Sequence, residues 1–163
     1  MSKSESSRGL QGPKPNKESV KILLTLVVKA ETDILLARRR ARQIALLLGL
    51  GVQDQVRLST AVSEIVRISM THAGGGKVDY CISDKSEPYR FAIIVSNSAQ
   101  LEGETETSYS NETAQTGIRG ASHLVDNLEI QKAPHGTTVL IEKNLPLRTL
   151  PFSTVEILSL IHI

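Results

Sequence analysis

Few residues of this sequence have the types and spacing that a catalytic site or a metal site requires. Glu64 carries a carboxylate that can act as a general base, although a glutamate at the edge of an apolar helix stripe is more often a solvated surface group. The lone Cys81 excludes an intramolecular disulfide and a cysteine-rich zinc site. The histidines stand apart from the cysteine and from one another in sequence, which predicts surface or capping roles rather than metal ligation for His72, His123 and His135.

The first half of the chain contains the periodic patterns of one strand and two helices. Alternating apolar residues predict a strand over residues 19–28, with one face formed by Val20, Ile22, Leu24, Leu26 and Val28. An amphipathic helix is predicted over residues 31–48, and its apolar stripe comprises Ile34, Ala37, Ala41, Ile44, Ala45 and Leu48. A second helix, over residues 53–72, is ended by three glycines, and its stripe comprises Leu58, Ala61, Val62 and Ile65.

The second half of the chain predicts two strands, a long loop, a short helix and a final hairpin. Alternation places strands around residues 78–82 and 89–95, and the hairpin strands at 128–131 and 137–143. Residues 96–115 are polar and predict a long loop, after which a helix begins near Thr116. Strands joined by short turns favour an antiparallel sheet with the helices on one face. The predicted fold class is therefore α+β, a two-layer α/β sandwich with a mixed, mostly antiparallel sheet.

Composition and charge exclude several classes of protein. A chain of 163 residues with 40% hydrophobic residues suits one globular domain. The formal net charge of +2 argues against general nucleic-acid binding, which needs a concentrated basic face. The apolar run at residues 22–28 is far shorter than the ~20 residues of a membrane span, and the N-terminus lacks the pattern of a signal peptide. Residues 1–17 are predicted to be a disordered tail, and the protein to be cytoplasmic.

The C-terminal residues 147–163 are predicted to be an extension outside the main domain. Ser153 is suited to cap a helix that starts near Phe152. This helix stops abruptly, as in a truncated reading frame, and residues 158–163 resemble a translated sequencing adapter. We therefore expect this end to be truncated or artefactual and leave it out of the predicted core.

Three segments, taken in their order along the chain, resemble one superfamily. They are residues 61–76 around Glu64, residues 91–99 ending in Ser-Asn-Ser-Ala, and residues 115–126 beginning Gln-Thr-Gly-Ile-Arg-Gly, followed by His-Gly-Thr-Thr at 135–138. Together they resemble the GHKL ATPases, and among these the serine kinases and anti-sigma factors of bacterial partner-switching systems. The resemblance implies a Bergerat-like ATP-binding fold for a domain at residues 18–146.

In this family one helix presents a glutamate as general base and, four residues later, an asparagine that holds Mg²⁺. Glu64 matches the base, and Ile68 stands at the asparagine position. A hydrocarbon side chain cannot ligate a hard cation, so this departure speaks against magnesium binding and against phosphoryl transfer. We assign no residue as a metal ligand and expect Glu64 and Ile68 to line one concave site with Asn97 and Gly117.

The resemblance also implies residues that bind ATP. Asn97 stands where the family has an aspartate that accepts a hydrogen bond from the adenine amino group, and an amide oxygen can still accept this bond. Gly117 and Gly120 retain part of a glycine-rich phosphate loop before a helix N-terminus. Thr137, or Thr138 beside it, matches a threonine near the adenine. We expect weak ATP binding, because bulkier residues replace two glycines of the adenine loop.

These implications leave three functions open. The first is a regulatory domain of a partner-switching system with weak or lost catalysis, which binds an anti-anti-sigma regulator, a phosphatase or a sigma factor. The second is an active anti-sigma serine/threonine protein kinase that uses ATP, and the third is a fragment of a longer phosphatase or kinase regulator. A homodimer is compatible with all three. The arginines at residues 38–42 are most simply a solvated helix face, with an acidic protein partner as the alternative.

Overall fold

Nine helices and strands make up the described part of the chain. The computed structural model describes residues 20–84, 86–98, 112–146 and 152–161. In chain order the elements are β1 (Val20–Val28), α1 (Thr32–Leu47), α2 (Val52–Ala73), β2 (Gly76–Ser83), β3 (Arg90–Asn97), α3 (Glu112–Ser122), β4 (Asn127–Ala133), β5 (Gly136–Asn144) and α4 (Thr154–Ile161). The predicted tail at residues 1–17 and the middle of the predicted loop, residues 99–111, lie outside the described residues.

The five strands form one sheet in the order β1-β2-β3-β5-β4. Each neighbouring pair is antiparallel, so the described sheet is antiparallel throughout rather than mixed. The predicted alternation is visible in the buried side chains, which are Val78, Tyr80 and Ile82 in β2 and Phe91 and Ile93 in β3. The helices pack against these residues from one side. The predicted α+β two-layer sandwich is therefore confirmed.

Helices α1 and α2 bury the apolar stripes that the sequence predicts. Every residue of the two predicted stripes is buried in the structure. The Tyr80 hydroxyl donates a 2.8 Å hydrogen bond to the carbonyl oxygen of Ala37, which ties β2 to the inner face of α1. Burial raises the pKa of Tyr80, so the hydroxyl keeps its proton and continues to donate this bond at neutral pH.

Helix α2, with 22 residues, carries the first segment of the predicted site. It ends at Gly74, whose φ of +75° lies in the left-handed region that glycine adopts without a steric penalty. The N–H groups of Gly74 and Gly75 donate to the carbonyl oxygens of Met70 and Ser69, which closes the helix end. Within the described ranges, no helix combines the length and the apolar character needed to cross a lipid bilayer.

Strand β1 departs from the predicted alternation at a bulge. Its register with β2 shifts between Ile22 and Leu24. The extra residue, Leu23, turns inward and is 2% exposed, whereas Ile22 is 58% exposed. The prediction that Ile22 shares a face with Leu24 and Val28 is therefore wrong, because a bulge exchanges the two faces of a strand from that point onward.

Helix α3 begins one turn earlier than predicted. Its first residue is Glu112, so the expected start near Thr116 is wrong. Ala114 and Ala121 are its two buried residues, which gives α3 a narrow inward stripe of small side chains. As a consequence, Gly117 and Gly120 lie inside the helix rather than in a loop before it.

Helix α4 packs against α1 and β1 and adds two residues to the core. Ile157 and Ile161 are fully buried, so leaving residues 158–163 out of the core is wrong for Ile161. The prediction that Ser153 caps this helix is confirmed: its hydroxyl accepts from the N–H of Glu156 at 3.2 Å, and its own N–H donates to the Glu156 carboxylate at 2.7 Å. The hydrogen bond from the Ser153 N–H, and after it the Ser153 side chain, lower the pKa of Glu156. That the chain end is truncated or artefactual stays a prediction.

Candidate functional site

The predicted general base lies at the middle of α2. Glu64 is half-buried, and its Oε1 accepts a 2.6 Å hydrogen bond from the Arg67 guanidinium three residues later on the same helix. Both side chains remain substantially exposed, at 40% for Glu64 and 56% for Arg67, so the ion pair contributes little to stability. The pair nevertheless occupies one of the two oxygens with which Glu64 could take up a proton.

The other Glu64 oxygen is directed towards α3. A Cβ placed on Gly117 would lie 3.8 Å from Glu64 Oε2 and 3.2 Å from Ile68 Cδ1. The second distance is tighter than an ordinary van der Waals contact, so α3 approaches α2 as closely as a glycine allows. We call the group formed by Glu64, Ile68 and Gly117 the α2–α3 contact. Gly117 is thereby explained by packing against Ile68.

Ile68 makes the α2–α3 contact unsuited to magnesium. It is 8% exposed, and its side chain offers only carbon atoms at the position where the resemblance places an oxygen ligand. A hard divalent cation needs several oxygen ligands at short distance. Among the described residues, no group of three or more His, Cys, Asp or Glu side chains could hold a metal ion. The residues present at this contact therefore do not fit a bound Mg²⁺.

Asn97 ends β3 and is tied to α2 by a side-chain contact. Its Nδ2 donates a 3.4 Å hydrogen bond to the hydroxyl oxygen of Ser69, the residue that follows Ile68. The Ser69 hydroxyl in turn donates to the carbonyl oxygen of Gly75 at 2.9 Å. Residue 69 thus links the strand end that carries Asn97 to the helix that carries Glu64 and Ile68.

Thr137 lies opposite Asn97 in the ladder between β3 and β5. It is 2% exposed, so its hydroxyl belongs to the interior rather than to an open surface. The preceding Gly136 has a φ of +150°, and a Cβ there would collide with the carbonyl oxygen of Asn97. The close approach of two backbones at Gly136 therefore fixes the relative positions of Asn97 and Thr137.

Gly120 differs from Gly117 in its surroundings. A Cβ at Gly120 would meet no atom within 4 Å, so nothing in the described packing requires a glycine there. Both glycines lie inside α3, where backbone N–H groups beyond the first turn are used by the helix itself. The phosphate-loop geometry expected for this pair is therefore absent from the described helix, and their assignment to nucleotide binding stays a prediction.

A groove of about 330 Å³ lies beside the end of β3. It is lined by Gly76, Lys77, Ser96, Asn97, Ser98 and His135. Neither Glu64 nor Gly117 is among the residues that line this groove. Ser69 lies between the α2–α3 contact and the paired ends of β3 and β5. That Glu64, Ile68, Asn97 and Gly117 line one concave site stays a prediction.

Two residues of this region escaped the sequence analysis. Arg67 pairs with Glu64, and Ser69 binds Asn97. Spacing could have revealed Arg67, because residues three apart on a helix are neighbours and opposite charges attract. The contact between Ser69 and Asn97 joins residues far apart in sequence, so no local sequence pattern predicts it.

Cys81 is not a candidate nucleophile. The side chain is fully buried, and burial raises its pKa to about 12. A thiol with such a pKa is protonated at neutral pH, whereas nucleophilic attack requires the thiolate. Cys81 therefore serves the packing of the sheet.

Comparison with known proteins gives a similarity of limited extent. No family model matches the chain. Over 51 residues the chain is 41% identical to the serine/threonine-protein kinase RsbT of Bacillus subtilis (strain 168). The matched segment covers 31% of this chain and 38% of the length of that kinase. The relative is a serine/threonine-protein kinase, which agrees with the resemblance to serine kinases given in the sequence analysis. The similarity extends over about a third of the chain.

Proposed function

We propose that this chain is a regulatory domain of a bacterial partner-switching system, which acts by binding a regulatory protein and has weak or lost kinase activity. Support comes from the ordered motifs, from the α+β sandwich and from the similarity to a serine/threonine-protein kinase. The partner belongs to one of three classes, an anti-anti-sigma regulator, a phosphatase or a sigma factor, and the setting is the cytoplasm. The functional unit is the domain at residues 18–146.

The observation that carries this proposal is the side chain of Ile68 in the α2–α3 contact. Phosphoryl transfer depends on positioning and on neutralising the charge of the phosphate oxygens, and a metal ion supplies much of the neutralisation. Ile68 is packed against α3 at the position where the resemblance requires the metal ligand. Glu64 alone, with one oxygen engaged by Arg67, does not replace that contribution.

An adenine nucleotide remains part of the proposal, bound weakly and without dependence on magnesium. Asn97 would contact the adenine above the buried Thr137, and α3, which carries Gly117 and Gly120, would lie on the phosphate side. When bound, the nucleotide would supply negative charge and a conformational signal rather than a transferable phosphoryl group. The burial of Thr137 favours a role in shaping the floor of such a site.

Isothermal calorimetry with ATP, in magnesium and in EDTA, tests the proposal. We expect the two dissociation constants to agree within about tenfold, which corresponds to ~1.4 kcal/mol. Ile68→Asn restores an oxygen ligand and is expected to introduce a magnesium dependence, whereas the matched control Ile68→Val is not. Thermal unfolding of both variants checks that each is folded. Wild-type binding that tightens more than tenfold with magnesium would contradict the proposal.

An active kinase is the second candidate, favoured by the retained Glu64 and by the similarity to a serine/threonine-protein kinase. Incubation with labelled ATP, magnesium and a purified anti-anti-sigma protein separates the two candidates. We expect little label on the protein substrate. Robust serine phosphorylation that Glu64→Gln abolishes, and that Lys21→Glu on β1, at the other edge of the sheet from β4, leaves intact, would establish the kinase instead.

A further inference from the structure

Helix α1 has a strongly basic outer side. Its sequence places four arginines between residues 38 and 42, and its single acid is Asp33 in the first turn. The Asp33 carboxylate accepts hydrogen bonds from the N–H groups of Lys29 and Ala30 at the helix start, so it is turned away from the arginines. The arginines therefore have no acidic neighbour on their own helix.

Three of these arginines point into solvent. Arg38, Arg39 and Arg42 are exposed, and none of them takes part in an ion pair recorded among the described residues. Arg40 behaves differently, because its guanidinium donates to Gln43 at 2.8 Å and reaches the carbonyl oxygen of Ile161 at 3.5 Å. Arg40 thus belongs to the packing of α4, while the other three present unused positive charge.

Two large apolar side chains stand at the ends of the arginine cluster. Leu35 is 65% exposed and Leu46 is 62% exposed. At about 100° per residue these leucines fall on the same side of α1 as the three arginines, and eleven residues of helix separate them by about 16 Å. We call the group of Leu35, Arg38, Arg39, Arg42 and Leu46 the α1 surface.

A groove and two exposed valines of α2 lie next to the two ends of the α1 surface. At the Leu35 end, a groove of about 360 Å³ between the two helices is lined by Glu31, Ile34, Leu35, Arg67, Met70 and Thr71. At the Leu46 end, Val52 and Val56 of α2 are 67% and 39% exposed. A partner helix can therefore bury apolar area at both of its ends while its middle meets positive charge.

We infer that the α1 surface binds an acidic amphipathic helix of a partner protein, with carboxylates opposite the arginines and an apolar anchor in the groove beside Leu35. Charge complementarity selects an acidic partner, and an apolar side chain in a groove is the way an amphipathic helix docks. The flanking leucines favour protein over nucleic acid, whose phosphate backbone offers them no apolar counterpart. The inference deepens the proposed regulatory function and rests on it for the existence of a partner, but it requires no nucleotide.

A pair of synthetic helical peptides tests the inference on the full chain. Each has about 18 residues, a length of about 27 Å as a helix, with leucines near both ends and either glutamate or glutamine between them. Fluorescence anisotropy measures binding at about 50 mM and about 300 mM salt. At low salt we expect the glutamate peptide to bind at least about tenfold more tightly than the glutamine peptide. This difference should shrink at high salt, because exposed charges are screened there.

Variants of the chain separate the electrostatic contribution to peptide binding from the apolar contribution. Arg39→Glu is expected to weaken the glutamate peptide about tenfold at low salt and less at high salt, whereas Lys132→Glu on exposed β4 makes the same charge change and is expected to have little effect. Leu35→Ser is expected to weaken binding at both salt concentrations, because burial of apolar area is not screened. Circular dichroism confirms the fold of each variant.

Three outcomes would overturn the inference. Equal binding of the glutamate and glutamine peptides would show that charge does not contribute to binding. Equal effects of Arg39→Glu and Lys132→Glu would show that the peptide does not bind at the α1 surface. Tighter binding of a duplex DNA probe, lost in Arg39→Glu, would assign the surface to nucleic acid. Since the peptide assay contains no ATP, its failure is distinguishable from failure of the calorimetric test of the proposed function.

Discussion

The α2–α3 contact and the α1 surface have opposite characters. At the first, Ile68 and Gly117 bring two helices so close that the expected ligand position is filled with carbon. At the second, three arginines and two leucines remain exposed on a single helix. The two regions share one helical layer, which is closely packed with carbon atoms on one side and charged on the other. Arg67 connects the two regions, because it pairs with Glu64 and also lines the groove beside Leu35. Variants that leave Arg67 in place, such as Ile68→Asn and Arg39→Glu, therefore test nucleotide binding and partner binding separately.

The largest effect is expected beneath the α1 surface. Ile157→Ala removes a fully buried side chain of α4 and should lower the free energy of unfolding by ~2–5 kcal/mol. Urea unfolding measures this loss. Binding of the acidic peptide to the folded variant should remain unchanged, because Ile157 lies on the inner side of the layer. A loss of peptide binding in the folded variant would show that the two sides of α1 are coupled.

A smaller effect is expected at the α2–α3 contact. Gly117→Val adds a side chain where even a Cβ would lie 3.2 Å from Ile68 Cδ1, so we expect a loss of ~1–3 kcal/mol in unfolding free energy. The double variant with Ile68→Ala should recover part of this loss, since the added and removed groups share one space. Denaturant unfolding of both single variants and the double variant gives the interaction energy. Additive losses would mean that α3 shifts away instead of colliding.

Gly120→Ala serves as the matched change on the open side of α3. A Cβ at this position meets no atom within 4 Å, and alanine is the better helix former by ~1 kcal/mol. We therefore expect a gain of ~0.5–1 kcal/mol in the free energy of unfolding. A loss of stability, or a gain at Gly117→Ala as large as that at Gly120→Ala, would contradict the close approach of α3 to α2.

The smallest effect is expected at the start of α1, as a dependence on pH. Hydrogen bonds from the N–H groups of Lys29 and Ala30 lower the pKa of Asp33 from its ordinary value of 3.8. A carboxyl with a lowered folded-state pKa stabilises the protein above the unfolded-state value, and this contribution is lost as pH falls through the folded-state value. Unfolding of the wild type and of Asp33→Asn, compared between about pH 6 and about pH 2, should show a slightly steeper acid loss in the wild type. Identical slopes would exclude a role for the Asp33 carboxylate in holding this helix end.

The sequence predicts the sheet and the two long helices well because their patterns are local. Alternation in β2 and β3 and the stripes of α1 and α2 require only that apolar side chains face one way, and the structure buries every one of those stripes. The bulge at Leu23 was missed because the neighbouring Ile22 and Leu24 are also apolar, so composition does not tell which of them turns inward. The early start of α3 was missed because its first turn contains a single buried residue, Ala114.

The candidate site was predictable only in part. Helical spacing places Glu64 and Ile68 on one side of α2, and the structure brings Gly117 to both of them. The link from Asn97 to Ser69 depends on how a strand end meets a helix, which is set by tertiary packing rather than by local sequence. The burial of Ile161 was missed for a similar reason, since only the contact of α4 with α1 and β1 shows where that residue packs.

The bulge in β1 also bears on how readily another chain could pair with this edge of the sheet. In the described sheet β1 is an edge strand, with β2 as its one neighbour, and Ile22 and Val27 are more than half exposed. A regular edge strand with exposed apolar residues is a template on which another chain can extend the sheet, and this is a common route to aggregation. The irregular backbone at Leu23 and the charge of Lys21 interrupt that template. The same feature that defeats the predicted alternation of β1 thus makes this edge a poorer template for another strand.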